Sequence, residues 1–163
     1  MDDRALPFLD RLDAVEERLS RLAEQPAAAG LTEPDEPSGE RWDWGQVWAH
    51  LAEFPGYWRK ELTKILAAGS TSEPPFGRTK ADRARIEAID RDRHVPASEL
   101  MDRLRPQLVE LRALLTEMSP DGWNMKVAHS TLGILGMDRV MEEFLVGHLE
   151  AHATQLDALA ERS

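Results

Sequence analysis

Two histidines, His148 and His152, stand four residues apart in the stretch D-R-V-M-E-E-F-L-V-G-H-L-E-A-H-A-T-Q-L-D-A-L, residues 138–159. Residues four apart lie one above the other on a helix. The apolar residues Met141, Phe144, Leu145, Leu156 and Leu159 share the face of these histidines. The two imidazoles therefore point together at a buried face, where they can close on one divalent metal ion. A pair alone does not make a site, and a histidine on an apolar face is more often a hydrogen-bonded core residue. The zincin pattern H-E-x-x-H is absent, because Leu149 follows His148 and Glu150 lies about 200° around the helix from it.

A third ligand is what such a pair needs. Three neutral imidazoles leave an open coordination position, as catalytic rather than structural sites do. His50 is the best candidate, near the start of a long helix and on the edge of its apolar stripe. His129, in a loop, is held in reserve. His94 lies in a charged connection and is expected to face solvent. Arg59, Lys60 and Trp123 could help to bind an anionic substrate, although ordinary surface and core roles account for them as well.

Four helices must position these residues. The first, Arg4 to Glu24, repeats Phe8, Leu12, Val15, Leu19 and Leu22. Residues 25–41 read as a solvated linker broken by Pro26, Gly30, Pro34, Pro37 and Gly39. The second helix starts after the N-cap Asp43, with Gln46 placed for a capping box, and stops at Gly69. Its stripe is Val47, Leu51, Phe54, Trp58, Leu62 and Ile65, and Pro55 predicts a kink. Ser70 to Ala97 forms the long connection. Its charged run, Lys80 to Arg93, reads as a solvated face with a short helix near Ala81 to Ile89. The third helix, Ser98 to Met118, carries Leu100, Leu104, Leu108, Leu111 and Leu115, with Pro106 inside it. Ser119 to Gly136 is read as a loop, and the fourth helix is read as unbroken from Asp138 onward. No convincing strand appears, so the fold class is all-α, a four-helix bundle in one domain. The second helix spans roughly 37 Å. The connection after it is long enough to return along the bundle, so up-down-down-up order is open without being fixed.

Composition narrows the functions. The 163 residues carry 30 acidic against 20 basic side chains, a net charge of -10, which repels phosphate backbones and argues against nucleic acid. There is no cysteine, so any sulfur chemistry must use an external thiol. No signal peptide or membrane span is evident, and a cytoplasmic protein is expected.

The segments W-D-W-G-Q-V-W-A-H-L-A-E-F and F-L-V-G-H-L-E-A-H-A-T-Q-L together resemble the DinB-like superfamily, which includes mycothiol-dependent maleylpyruvate isomerases and bacillithiol S-transferases. The resemblance follows the order of elements along nearly the whole chain. It implies an up-down-down-up bundle, often a homodimer, and a divalent metal, zinc or nickel foremost, on His50, His148 and His152. It implies action on a small-molecule substrate with a low-molecular-weight thiol such as mycothiol, as a thiol S-transferase or related hydrolase. The alternative is a non-catalytic dimeric bundle that binds a small ligand, a partner or a metal without turnover. The Trp cluster between Trp42 and Trp58 motivates that alternative.

Overall fold

The structure, a computed structural model, describes residues 1–36, 38–69 and 72–163. Pro37 of the first loop and the start of the long connection, Ser70 and Thr71, lie outside the described residues. The fold is mostly helical. Four long helices, α1 (Ala5–Ala23), α2 (Trp44–Ala68), α4 (Ala97–Glu117) and α7 (Val146–Glu161), surround one hydrophobic core. Each of α4 and α7 packs against both α1 and α2. Shorter helices α3 (Arg83–Asp92), α5 (Pro120–Asn124) and α6 (Met137–Phe144) fill the connections, with α3 against α2.

The sequence signals account for most of this. Phe8, Leu12, Val15, Leu19 and Leu22 are buried along α1, and Leu100, Leu104, Leu108, Leu111 and Leu115 of α4 are fully buried. The capping box forms as expected. Gln46 N donates to Asp43 Oδ1 at 2.9 Å, and Asp43 N donates to Gln46 Oε1 at 3.0 Å. Gly69 ends α2 in the left-handed region at φ 59°. Helix α2 continues through Pro55 with help from α4. The Gln107 side chain inserts one residue later, accepting from Gly56 N at 2.7 Å and donating to Ala52 O at 2.6 Å. One amide thereby satisfies the backbone donor and acceptor that would otherwise have bonded to each other.

Four expectations need correction. Residues 119–136 are not simply loop. They hold α5 and a two-stranded antiparallel hairpin, β1 (Lys126–His129) and β2 (Gly133–Gly136), with Lys126 opposite Gly136 and His129 opposite Gly133. Four-residue strands are too short for alternation to declare them. The chain from Pro74 joins this hairpin, since Phe76 N donates to Ala128 O at 3.0 Å and Ala128 N to Pro74 O at 2.9 Å.

The last helix is also not continuous. Leu145, at φ -127° and ψ -99°, separates α6 from α7. A Cβ on Gly147 would stand 2.2 Å from the carbonyl oxygen of Glu142, so this close approach requires glycine. Finally, the charged run 80–93 is not all solvated. Arg85 and Asp92 are buried, and so is the Arg78 side chain just ahead of the run. The first loop is likewise more than a linker. Thr32 is buried and is bonded on both sides to Trp42, its N donating to Trp42 O and its Oγ1 accepting from Trp42 N.

Candidate metal centre

Two helices bring the three histidines together. His50 lies in the second turn of α2 and His148 in the first turn of α7, with His152 one turn further on. His50 Nε2 is 3.1 Å from His148 Nε2, which is 3.0 Å from His152 Nε2. His50 and His152 are buried, 4% and 7% exposed, and His148 is half-buried. Trp42 and Phe54 bracket the three rings. Trp42 stacks on His152 at 5.8 Å and meets His50 edge-on at 5.1 Å, while Phe54 meets His148 edge-on at 4.6 Å.

Neighbouring acceptors bias which nitrogens are free. His152 Nδ1 lies 2.7 Å from Gln155 Oε1, and His50 Nδ1 lies 3.3 Å from Glu53 Oε2. Both oxygens only accept; the first is hydrogen-bonded and the second faces its ring nitrogen without a formed bond, surroundings that favour the proton on both Nδ1 atoms and lone pairs on both Nε2 atoms. His148 Nε2 stands between those lone pairs and holds at most one proton. One of the two N···N contacts is therefore unfavourable in the neutral trio. A cation among the three nitrogens removes this conflict. Nitrogens at about 2.0–2.1 Å from a tetrahedral zinc stand roughly 3.3 Å apart, close to the two spacings above, and the three residues each offer a ligand atom within 4.8 Å of the others. The donor set fits a divalent ion such as zinc or nickel.

The electrostatics keep the rings neutral. Burial foremost pushes His50 and His148 well below the ordinary histidine range, and the neighbouring histidines and arginines add to it. Burial likewise lowers His152 to about 4, against a smaller opposing effect of Gln155. Neutral imidazole is the form that ligates metal.

The remaining candidates fall elsewhere. His129 is buried in β1. Its Nδ1 accepts from the backbone N–H groups of Thr131 and Leu132, and its Nε2 donates to Arg78 O at 3.2 Å. His94 is exposed, as expected. Arg59 pairs with Glu110 on α4 at 2.9 Å, Lys60 is exposed, and Trp123 stacks on Phe8 at 5.9 Å. Glu150 points away from the histidines to Arg11 of α1.

Sequence reading missed Glu53, Arg78 and Arg85, and took Trp42 only as part of the Trp cluster. Glu53 bridges His50 and the buried Arg78, whose guanidinium also lies 4.0 Å from the Tyr57 ring centroid. Arg85 lies 5.2 Å from the Trp42 ring centroid. Only Glu53 carried a local signal, standing three residues after His50 on the same helix.

No protein-family model and no curated protein matches this sequence. Solved structures do. The mycothiol-dependent maleylpyruvate isomerase superposes with a TM-score of 0.67 at 16% identity, over 93% of this chain and 60% of its own. A histidine-to-alanine mutant of that isomerase matches equally well. An uncharacterized protein from Clostridium difficile 630 superposes with a TM-score of 0.66 at 8% identity, over 99% of this chain and 98% of its own. The chain thus spans about three fifths of the isomerase but nearly all of the clostridial protein. At these identities the likeness concerns architecture alone, and this chain shares the fold of those solved structures.

Proposed function

We propose that this chain is a metal-dependent enzyme that holds one divalent ion on His50, His148 and His152 and acts on a small molecule with an external low-molecular-weight thiol. Thiol transfer or a related hydrolysis is the reaction class. The observation that carries the reading is the convergence of three Nε2 atoms, two of them on rings whose Nδ1 faces an acceptor, Gln155 or Glu53. A bound ion would supply a Lewis acid that lowers the pKa of a thiol or water in its open position. The protein contributes the rest. His50 and His152 keep their protons on Nδ1, which leaves Nε2 basic. Trp42 and Phe54 exclude water from the rings and so strengthen every charge interaction there. The chain has no thiol of its own, so the nucleophilic sulfur comes with the cofactor. The mycothiol dependence in the isomerase's name agrees with this choice.

The same reading takes the chain as a single domain with up-down-down-up helices, assembled as a homodimer. Arg11 pairs with Glu150 and Arg18 with Asp157, which supports parallel α1 and α7. Gln107 meets Ala52 and Arg59 meets Glu110, which supports parallel α2 and α4. No helix among the described residues is long and apolar enough to cross a membrane. The depth of His50 and His152 favours a second reading, in which the ion is held without turnover.

The test is elemental mass spectrometry on untagged protein beside His148→Ala. About one equivalent of a divalent metal is expected in the wild type, and less than roughly a tenth of that in the variant. Equal metal content in the two proteins would end the proposal. Turnover of a thiol with an electrophile, present only in the loaded protein, separates the enzyme from the storage reading.

A further inference from the structure

Beside His50 lies a largely buried ion pair. Glu53 and Arg78 have side chains only 15% and 6% exposed. Removing two charges from water is unfavourable enough that such a pair seldom stabilises a fold relative to apolar packing. The pair nevertheless has dedicated supports. The Arg78 guanidinium lies against the Tyr57 ring, and its backbone carbonyl accepts from His129 Nε2 on the hairpin. The residue before it, Gly77, has φ 89°, and a Cβ there would stand 2.3 Å from the Trp58 ring. The chain must therefore be glycine at that point to deliver Arg78 to Glu53.

The other end of Glu53 is unfinished. Oε1 meets Arg78, while Oε2 and His50 Nδ1 face each other at 3.3 Å. Both atoms are buried, and neither has a hydrogen bond to any other group. A donor and an acceptor without other partners thus lie 3.3 Å apart without a formed bond, close enough for a small turn of either group to join them.

We propose that Glu53, clamped by Arg78, is the positioning residue of His50: it fixes the Nδ1–H tautomer and ring orientation and makes Nε2 a stronger metal ligand. This rests on the three-histidine reading above. A carboxylate on the far nitrogen of a ligating histidine orients the ring and raises its basicity, and loss of such a partner weakens metal affinity by about 10–100-fold. The arrangement also gives the hairpin and the segment around Arg78 a part in the site, since both hold Arg78 against Glu53.

The experiment measures zinc affinity by chelator competition and the visible spectrum of the cobalt-loaded protein. The proteins are wild type, Glu53→Gln, and Glu53→Gln combined with Arg78→Met. The double variant removes both buried charges, so it stays folded even if the single variant is destabilised by an unpaired Arg78. Both variants are expected to bind zinc at least tenfold more weakly, with an altered cobalt spectrum and native circular dichroism. Glu53→Asp should recover part of the affinity. Wild-type protein that binds zinc, with variants within twofold of it and an unchanged cobalt spectrum, would overturn the role of Glu53 and leave the three-histidine site standing. Wild-type protein that binds no zinc would overturn both.

Discussion

Metal-free protein should lose stability steeply as pH falls below 6.5, and the histidine cluster sets the size of the effect. His152 titrates near 6.5 in the unfolded chain and at about 4 in the folded one, with burial the main cause. Between those values the unfolded chain binds a proton that the folded chain refuses. Stability is therefore complete above pH 6.5 and falls as pH drops toward the folded value. At about 1.4 kcal/mol per unit, His152 alone removes roughly 3 kcal/mol by pH 4. His50 and His148 are also lowered, so they act in the same direction. With all three engaged the slope approaches about 4 kcal/mol per pH unit. Glu53 works the other way, because burial raises its folded value, and protonation relieves part of the burden. Against a domain stability of about 5–15 kcal/mol, the histidines are large enough to unfold the metal-free protein in mild acid. Urea titrations of chelator-treated protein from pH 7.5 to 4.5, followed by circular dichroism, would measure this. The urea midpoint should fall throughout the window below pH 6.5, and His152→Gln should flatten the fall by about a third. A midpoint constant from pH 7 to 5 would show that the rings are not buried as neutral bases, and the site geometry would be wrong.

Two substitutions probe the supports of the site. Gly147→Ala gains about 1 kcal/mol of helix propensity, but its Cβ would meet the Glu142 carbonyl oxygen at 2.2 Å and the carbonyl carbon at 2.9 Å, both backbone atoms. The clash should win by about 2 kcal/mol, lowering Tm by roughly 4 °C and weakening zinc binding through the adjacent His148. A raised Tm would mean that α6 and α7 form one straight helix. Gln107→Leu removes the amide that bridges Gly56 N and Ala52 O, so a loss of about 2 kcal/mol in urea unfolding is expected, with zinc affinity unchanged. No loss would show that the two backbone groups bond directly to each other.

What the sequence showed and what it concealed divide along one line. His148 and His152 were legible because four residues on a helix fix their mutual direction locally. His50 was legible as a candidate because the periodicity of α2 put it beside the apolar stripe. The meeting of α2 and α7 at the level of these residues depends on helix packing, and no repeat within either segment encodes it. The break at Leu145 was hidden because the apolar spacing runs across it, and only the approach of Gly147 to Glu142 betrays it. Arg78 and Arg85 were hidden for a different reason. A charge-rich segment ordinarily lies in solvent, and the average rule won over the individual residues.

That failure identifies where the chain departs from plain bundle design. A protein that needed only to fold would leave Arg78 outside and place an apolar residue at position 53. Here a left-handed glycine, a hairpin histidine and a tyrosine ring instead hold a buried arginine side chain against a largely buried glutamate, three residues from His50. The positions that contradict pattern-based reading gather around the three imidazoles, while those that obey it build the helices. The local burial of Glu53 and Arg78 is thus best understood as the condition for a well-oriented imidazole. Measuring zinc affinity in the double variant, with both charges removed and the fold kept, would isolate that contribution from stability.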